Sequence, residues 1–177
     1  MLACAKSPSS KGSKTCLLFG SGYPANTRVI PALAGRGDVI LSDALNHASI
    51  IDGCRQSRAV TIVYDHCDLD LLANALGRCS GRPALIVTDA VFSMDGDLRP
   101  LEGIVELAHH HGARLLVDEA HATGVIGPGG RGLVANLGLE REVDVVIPRL
   151  SKALGSYGAF ACWSPQLREL LMNRHGP

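Results

Sequence analysis

From Leu17 onward the chain alternates short apolar runs with longer segments whose apolar positions recur every three or four residues. The short runs are "DVILSD" (Asp38 to Asp43), "AVTIVY" (Ala59 to Tyr64), "ALIVTD" (Ala84 to Asp89), "RLLVD" (Arg114 to Asp118), "VDVVI" (Val143 to Ile147) and "GAFACW" (Gly158 to Trp163). They are apolar at nearly every residue and rich in Val and Ile, the pattern of strands covered on both faces. The longer segments are "ASIIDGCRQS", "DLDLLANALGRC", "PLEGIVELAHHH" and "SPQLRELLMNRH", the last opening on Ser164 as a cap and Pro165 as first helical residue. "FGSGYPAN", Phe19 to Asn26, reads as a glycine turn leading into a further helix with Pro24 in its first turn. Strands alternating with helices predict an α/β fold on a largely parallel sheet. Three of the strands end in an acidic residue, Asp43, Asp89 and Asp118, and open α/β sheets bind ligands beyond the carboxyl ends of their strands.

Composition narrows the classes. At 177 residues the chain suits one domain, and 46% hydrophobic with 19% charged residues describes a globular chain, not a disordered one. Formal net charge is zero, with 17 basic and 17 acidic residues and no basic stripe, which argues against a nucleic-acid partner. No apolar run approaches a membrane span, and the first residues hold too short an apolar segment for a signal peptide. The expectation is a cytoplasmic protein with no membrane partner. Six scattered cysteines without a C-x-x-C pair fit neither a zinc ribbon nor a disulfide framework, so they are expected to be buried, reduced thiols. The Ser/Lys-rich stretch from Lys6 to Thr15 predicts a frayed amino-terminal segment over residues 1–16, ahead of one domain over 17–177.

The run "RLLVDEAHATGVIGPGGRG" contains D-E-A-H, Asp118 to His121, the acidic box of one class of helicase. Such a box serves a nucleotide-bound magnesium and needs a P-loop of the form G-x-x-x-x-G-K-[ST]. The nearest candidate, "KGSKT" at 11–15, lacks both the spacing and the Gly-Lys pair, and "GPGGRG" follows the box and has no lysine. Gly-Pro-Gly-Gly is by default a surface turn. The helicase reading fails.

A second chemistry fits the residues better. Lys152 follows the strand "VDVVI" and is trailed by small residues that allow close approach. Asp118, ending a strand, offers a fixed carboxylate, and the turn "FGSGYPAN" offers helix-terminal amides to an anion. His47 in "SDALNHASI" follows the first of the listed strands, at the same sheet edge. An amine, a carboxylate, a flat ring and a phosphate cradle are the four needs of pyridoxal phosphate catalysis. Each signal is weak alone: Ser93, within "FSMDGD", reads from local chemistry as a turn residue, and His109 to His111 as a solvated helix end.

The order of the motifs is specific. "SGYPAN", "LSDALNHASIIDG", "VTDAVFSMDGDLRPL", "LLVDEAHATGVIGPGGRG" and "VDVVIPRLSKALGSYGAF" together resemble the α-oxoamine synthases, from about Leu17 to the end. The resemblance implies an aspartate-aminotransferase-like large domain, mostly parallel, with helices on both sheet faces. It implies pyridoxal 5'-phosphate as cofactor, an amino acid and an acyl-CoA as substrates, a decarboxylating condensation as reaction, and a homodimer. It assigns Lys152 as the residue that carries the cofactor as a Schiff base and removes the substrate α-proton, and Asp118 as partner of the pyridine nitrogen. His121 and Ser93 would lie near the phenolic oxygen, His47 would stack on the ring, and Gly22 and Tyr23 would give amides to the phosphate; no metal is implied. Two departures stand out. Where the family has Gly-Thr before x-x-Lys, this chain has Pro148 and Arg149, which puts the threonine's phosphate contact in doubt. The chain also covers less than half of a family member, so the expectation is a cofactor-binding core without the small carboxy-terminal domain.

Overall fold

Alternate residues of each central strand feed two separate cores, which is why these strands read as continuously apolar. Val39 and Leu41 pack with Ile86, Leu115 and Val117 on one face, while Ile40 packs with Leu85, Val87 and Leu116 on the other. A computed structural model describes residues 4–6, 15–79, 81–163 and 167. Its strands are β1 (Cys4–Lys6), β2 (Thr15–Phe19), β3 (Val39–Asp43), β4 (Val60–Tyr64), β5 (Ala84–Asp89), β6 (Arg114–Asp118), β7 (Val145–Ile147) and β8 (Ala159–Trp163). The helices are α1 (Gly22–Leu33), α2 (Ala48–Ser57), α3 (Leu69–Gly77), α4 (Leu101–His111) and the short α5 (Leu133–Asn136). Among the described residues the strands form one sheet in the order β1-β2-β8-β7-β6-β5-β3-β4. Pairing is parallel from β4 through to β7 and antiparallel from β7 through β8 and β2 to β1.

Helices α1 and α2 cover one face, and α3, α4 and α5 the other. Local chemistry sets their ends. Asp68 caps α3 by accepting from the Leu71 amide at 2.8 Å, and His47 caps α2 by accepting from the Ser49 amide at 3.1 Å. Gly112, at φ 62°, closes α4, so the chain can leave the helix through a left-handed residue. The expected α/β architecture is therefore present, with helices on both faces.

Four expectations need correction or limits. β4 is an edge strand, not one covered on both faces: Val60 is 51% and Val63 63% exposed. β2 was not foreseen, because "TCLLF" follows a polar stretch that reads as a terminus; it pairs with β8 along all five residues. The amino-terminal segment also pairs, Cys4–Lys6 lying antiparallel to Thr15–Leu17. Cys16 and Cys162 are disulfide-bonded rather than reduced. Register explains the pair: they face each other across β2 and β8 although 146 residues apart, and sequence spacing carries no such information. Cys54 and Cys79 are buried free thiols, as expected. The helix read from Ser164 onward lies, apart from Leu167, outside the described residues.

The two-core packing predicts a sharp contrast on mutation. Ile86→Ala, at a fully buried position, should lower the unfolding free energy in urea by about 2–5 kcal/mol. Val63→Ala on the exposed edge should change it by less than about 0.5 kcal/mol. Equal losses would contradict the assignment of β4 to the edge.

Candidate active site

Strand parity sorts the three terminal aspartates. Asp89 and Asp118 are register partners, and each follows a residue on the α3/α4 side, so both side chains turn toward α1 and α2. Asp43 is one residue out of step, since Ser42 registers with Val87, and its side chain turns to the opposite face. The sheet edge thus carries polar groups on both faces, not one.

On the α1/α2 face, Asp118 is 1% exposed and hydrogen-bonded through both oxygens. Its Oδ1 accepts from the Ala120 amide at 2.9 Å, and its Oδ2 accepts from Asn26 Nδ2 and from the Arg149 guanidinium, each at 2.6 Å. Asn26 Nδ2 also donates to Ser49 Oγ at 2.9 Å, and Ser49 Oγ lies 2.7 Å from His47 Nδ1. The His47 amide donates to Asp89 Oδ2 at 2.8 Å. One connected network therefore joins β5, β6, α1, α2 and the segment after β7.

The segment after β7 is tied into a tight loop. Leu150 N donates to Gly158 O and Ser156 N to Leu150 O, both at 2.9 Å, and Gly155 N donates to Lys152 O at 3.0 Å. Gly158 is required there: it sits at φ 102°, and a side chain would meet Phe19 O at 2.9 Å. This loop presents Lys152 Nζ 2.8 Å from His121 Nε2, three residues beyond Asp118. Partial burial and then the nearby Arg149 charge hold the Lys152 amine below its ordinary value. His121 is also lowered, by burial and then by Lys152, and His47 by burial and then by Arg149. Both rings are thus biased toward the neutral form, and the Nδ1 of His47 is committed to accepting from the Ser49 amide.

Arg149 fills the entrance of α1. A side chain at Gly22 would run into its Nε, Cδ and Cζ, and its buried Nε has no hydrogen-bond partner among the described residues. Ser21, the residue before α1, makes no side-chain cap, so the first amides of a twelve-residue helix and one guanidinium lie together. Such a place suits an anion.

Of the expected site residues, the structure brings Lys152, His121, Asp118 and His47 to one region, with Gly22 against Arg149. Tyr23 lies in the first turn of α1, its own hydroxyl donating to Asp52 at the surface. Ser93 is an exposed turn residue with no hydrogen bond to this cluster among the described residues. His109 to His111 end α4 on the surface, His109 pairing with Glu142 at 3.0 Å. "GPGGRG" forms a turn, and a side chain at Gly132 would strike the Glu119 carboxylate. Sequence reasoning missed Asn26 and Ser49. Asn26 stands four residues after Gly22, one helical turn on, and that spacing was the available signal.

The comparisons with known proteins agree with this fold. The model of the family described as aminotransferase class I and II matches residues 7–177. The 8-amino-7-oxononanoate synthase of Anaeromyxobacter dehalogenans is 54% identical over 94% of the chain, and that of Geobacter sulfurreducens 51% identical over 93%. In both cases the chain spans 42% of the relative's length. A serine palmitoyltransferase from S. paucimobilis, solved with a bound PLP–myriocin aldimine, superposes with a TM-score of 0.84 at 39% identity, covering 89% of this chain and 40% of that one. The 8-amino-7-oxononanoate synthase of Francisella tularensis gives 0.77 at 31% identity, covering 90% of this chain and 46% of its own. With nearly its whole length matched by one family model and its fold shared with these enzymes, the chain belongs to the aminotransferase class I and II family.

Proposed function

We propose that this chain is the cofactor-binding core of a pyridoxal phosphate-dependent acyltransferase, an 8-amino-7-oxononanoate synthase of biotin synthesis, working as a cytoplasmic homodimer. The observation that carries the reading is the placement of Lys152 against His121 beside the buried Asp118, in a chain 51–54% identical to enzymes of that name. In this reaction a carbon–carbon bond forms between the α-carbon of alanine and the carbonyl carbon of a pimeloyl thioester. The thiol leaves, and the amino acid's carboxyl group departs as carbon dioxide. "SDALNHASIIDG" fits 2-amino-3-ketobutyrate CoA ligase equally well, so glycine and a shorter acyl chain are the second reading.

The residues present fit the cofactor. The uncapped start of α1 and the Arg149 Nε, unpartnered among the described residues, suit its phosphate, with the Gly22 and Tyr23 amides at hand. Asp118 suits the pyridine nitrogen, His47 the ring face, and Lys152 the aldehyde. Bound there, pyridoxal phosphate supplies an electron sink for charge left on a substrate α-carbon. The chain's own part is to orient and to move protons. Asn26 and the Ala120 amide fix the Asp118 carboxylate, so it is oriented before any ligand arrives. The lowered Lys152 amine can take the α-proton as a base, and His121 Nε2 at 2.8 Å can accept a hydrogen bond from it. The homodimer reading rests on exposed Leu154 (50%) and Tyr157 (78%) on the lysine loop, an apolar surface that suits cover by a second copy.

Asp89 stands beside Asp118 in this network. Burial and then the neighbouring Asp118 charge push its carboxyl up to about 7. A proton on Asp89 therefore reduces the charge on this face of the sheet edge to the Asp118 carboxylate.

Two measurements test these readings. Borohydride reduction of the protein with pyridoxal phosphate should label the peptide containing Lys152, and Lys152→Ala should lose both the label and the visible absorbance. The same labelled peptide in the variant would sink the lysine assignment. For Asp89, the folded chain holds a proton up to about pH 7 that the unfolded chain releases near 3.8. Its contribution to stability is complete below the lower value and fades as pH rises through the upper one. The stability difference between the native chain and Asp89→Asn should thus fall from about pH 4 to about pH 7, read by urea unfolding. A difference independent of pH would contradict the raised carboxyl.

A further inference from the structure

The opposite face of the same sheet edge carries a second cluster, built on Asp43. Asp43 is 1% exposed, and its Oδ2 accepts from Arg99 and from the Cys67 amide at 3.0 Å. Its Oδ1 lies 2.9 Å from His66 Nδ1, which orients the imidazole and leaves Nε2 pointing away. That Nε2 meets Cys67 Sγ at 3.4 Å and Asp97 Oδ2 at 2.5 Å, and the thiol is 3.8 Å from the same carboxylate oxygen. Asp43, His66 and Cys67 offer ligand atoms that all lie within 4.8 Å of one another. Asp97 Oδ1 is buried and has no hydrogen-bond partner among the described residues.

We infer that His66 Nε2, Cys67 Sγ and Asp97 bind a zinc-class divalent ion, with Asp43 as the carboxylate that positions the histidine. Three observations converge on it. A histidine that ligates a metal gives its other ring nitrogen to a carboxylate, which is the role Asp43 already plays. Tetrahedral zinc with one nitrogen, one sulfur and one oxygen ligand sets those atoms roughly 3.2–3.6 Å apart. The sulfur stands at 3.4 and 3.8 Å from the other two, so only Asp97 must draw back from the ring, by about 1 Å or less, and it lies on a half-exposed turn. Charge agrees as well: two carboxylates and a thiolate against the one Arg99 guanidinium leave two negative charges for a dication. A mixed nitrogen, sulfur and oxygen set favours zinc or cobalt over magnesium or calcium. Binding exchanges the ion for the proton on Nε2 and the proton on Sγ, both released to water. The fourth position is left to solvent.

The ion would tie the loop between β4 and α3 to the turn at 92–97. Cys67 takes a left-handed conformation at φ 58°, uncommon outside glycine and asparagine, and this fixes where its thiol is presented.

Cobalt(II) titrated into the full chain tests this directly. We expect a near-ultraviolet thiolate-to-cobalt band with visible bands of four-coordinate strength, both displaced by zinc. Cys67→Asn, an exchange that suits the left-handed backbone, and Asp97→Asn should each weaken zinc binding at least 100-fold, with the metal-free urea midpoint unchanged. In Cys67→Asn the near-ultraviolet band should vanish. Absence of that band in the native chain, or zinc bound as tightly by Cys67→Asn, would overturn the assignment. Loss of binding accompanied by a collapsed urea midpoint is resolved by His66→Asn: unchanged zinc affinity there also overturns it.

Discussion

The carboxylate of Asp118, buried at the end of a central strand, is the constraint on which the first site depends. Left without partners in that position it would be costly, since a buried charge must be paired and hydrogen-bonded. The chain supplies partners from three directions: Asn26 from α1, the Ala120 amide from its own turn, and Arg149 from the far side of β7. Satisfying this one group therefore draws α1, β6 and the Lys152 loop together. The side chains that could do chemistry, Lys152 with His121, sit at the margin of that satisfied centre. The margin is where a reactive amine stays accessible.

A second principle is parity. Successive residues of a strand face opposite ways, so a one-residue offset in where the strands end assigns Asp43 to one face and Asp89 and Asp118 to the other. Two polar clusters of different character follow from that offset. The first gathers a lysine, two histidines and an arginine about paired carboxylates. The second gathers a histidine, a thiol and a carboxylate about Asp43 and Arg99.

Much of this was legible in the sequence. Continuous apolar runs bounded by helical segments located β3 to β8 to within two residues, because burial on both faces demands such runs in the central strands, and the edge strand β4 shares their Val- and Ile-rich composition. The acidic strand ends, Lys152 and His47 could be picked out from their positions after strands. What stayed hidden was long-range. No local pattern says that Cys16 lies opposite Cys162, that Asn26 reaches Asp118, or that Val63 lies at an edge. "TCLLF" was missed because its polar approach looks like a terminus. Arg149 was visible as a departure from the family pattern, but its occupation of the α1 entrance needed coordinates, since it depends on the missing side chain of Gly22.

The pairing of Asp118 with Arg149 can be weighed by a double-mutant cycle on unfolding free energy, using Asp118→Asn, Arg149→Met and the double variant. Each single change leaves one buried charged or polar group without its partner, at a cost of about 3–5 kcal/mol, whereas the double change removes both. The account predicts a coupling energy of at least about 1.5 kcal/mol, the double variant being more stable than the sum of the single losses requires. Losses additive to within about 0.5 kcal/mol would show that Arg149 does not hold Asp118, and the site would have to be built on other contacts.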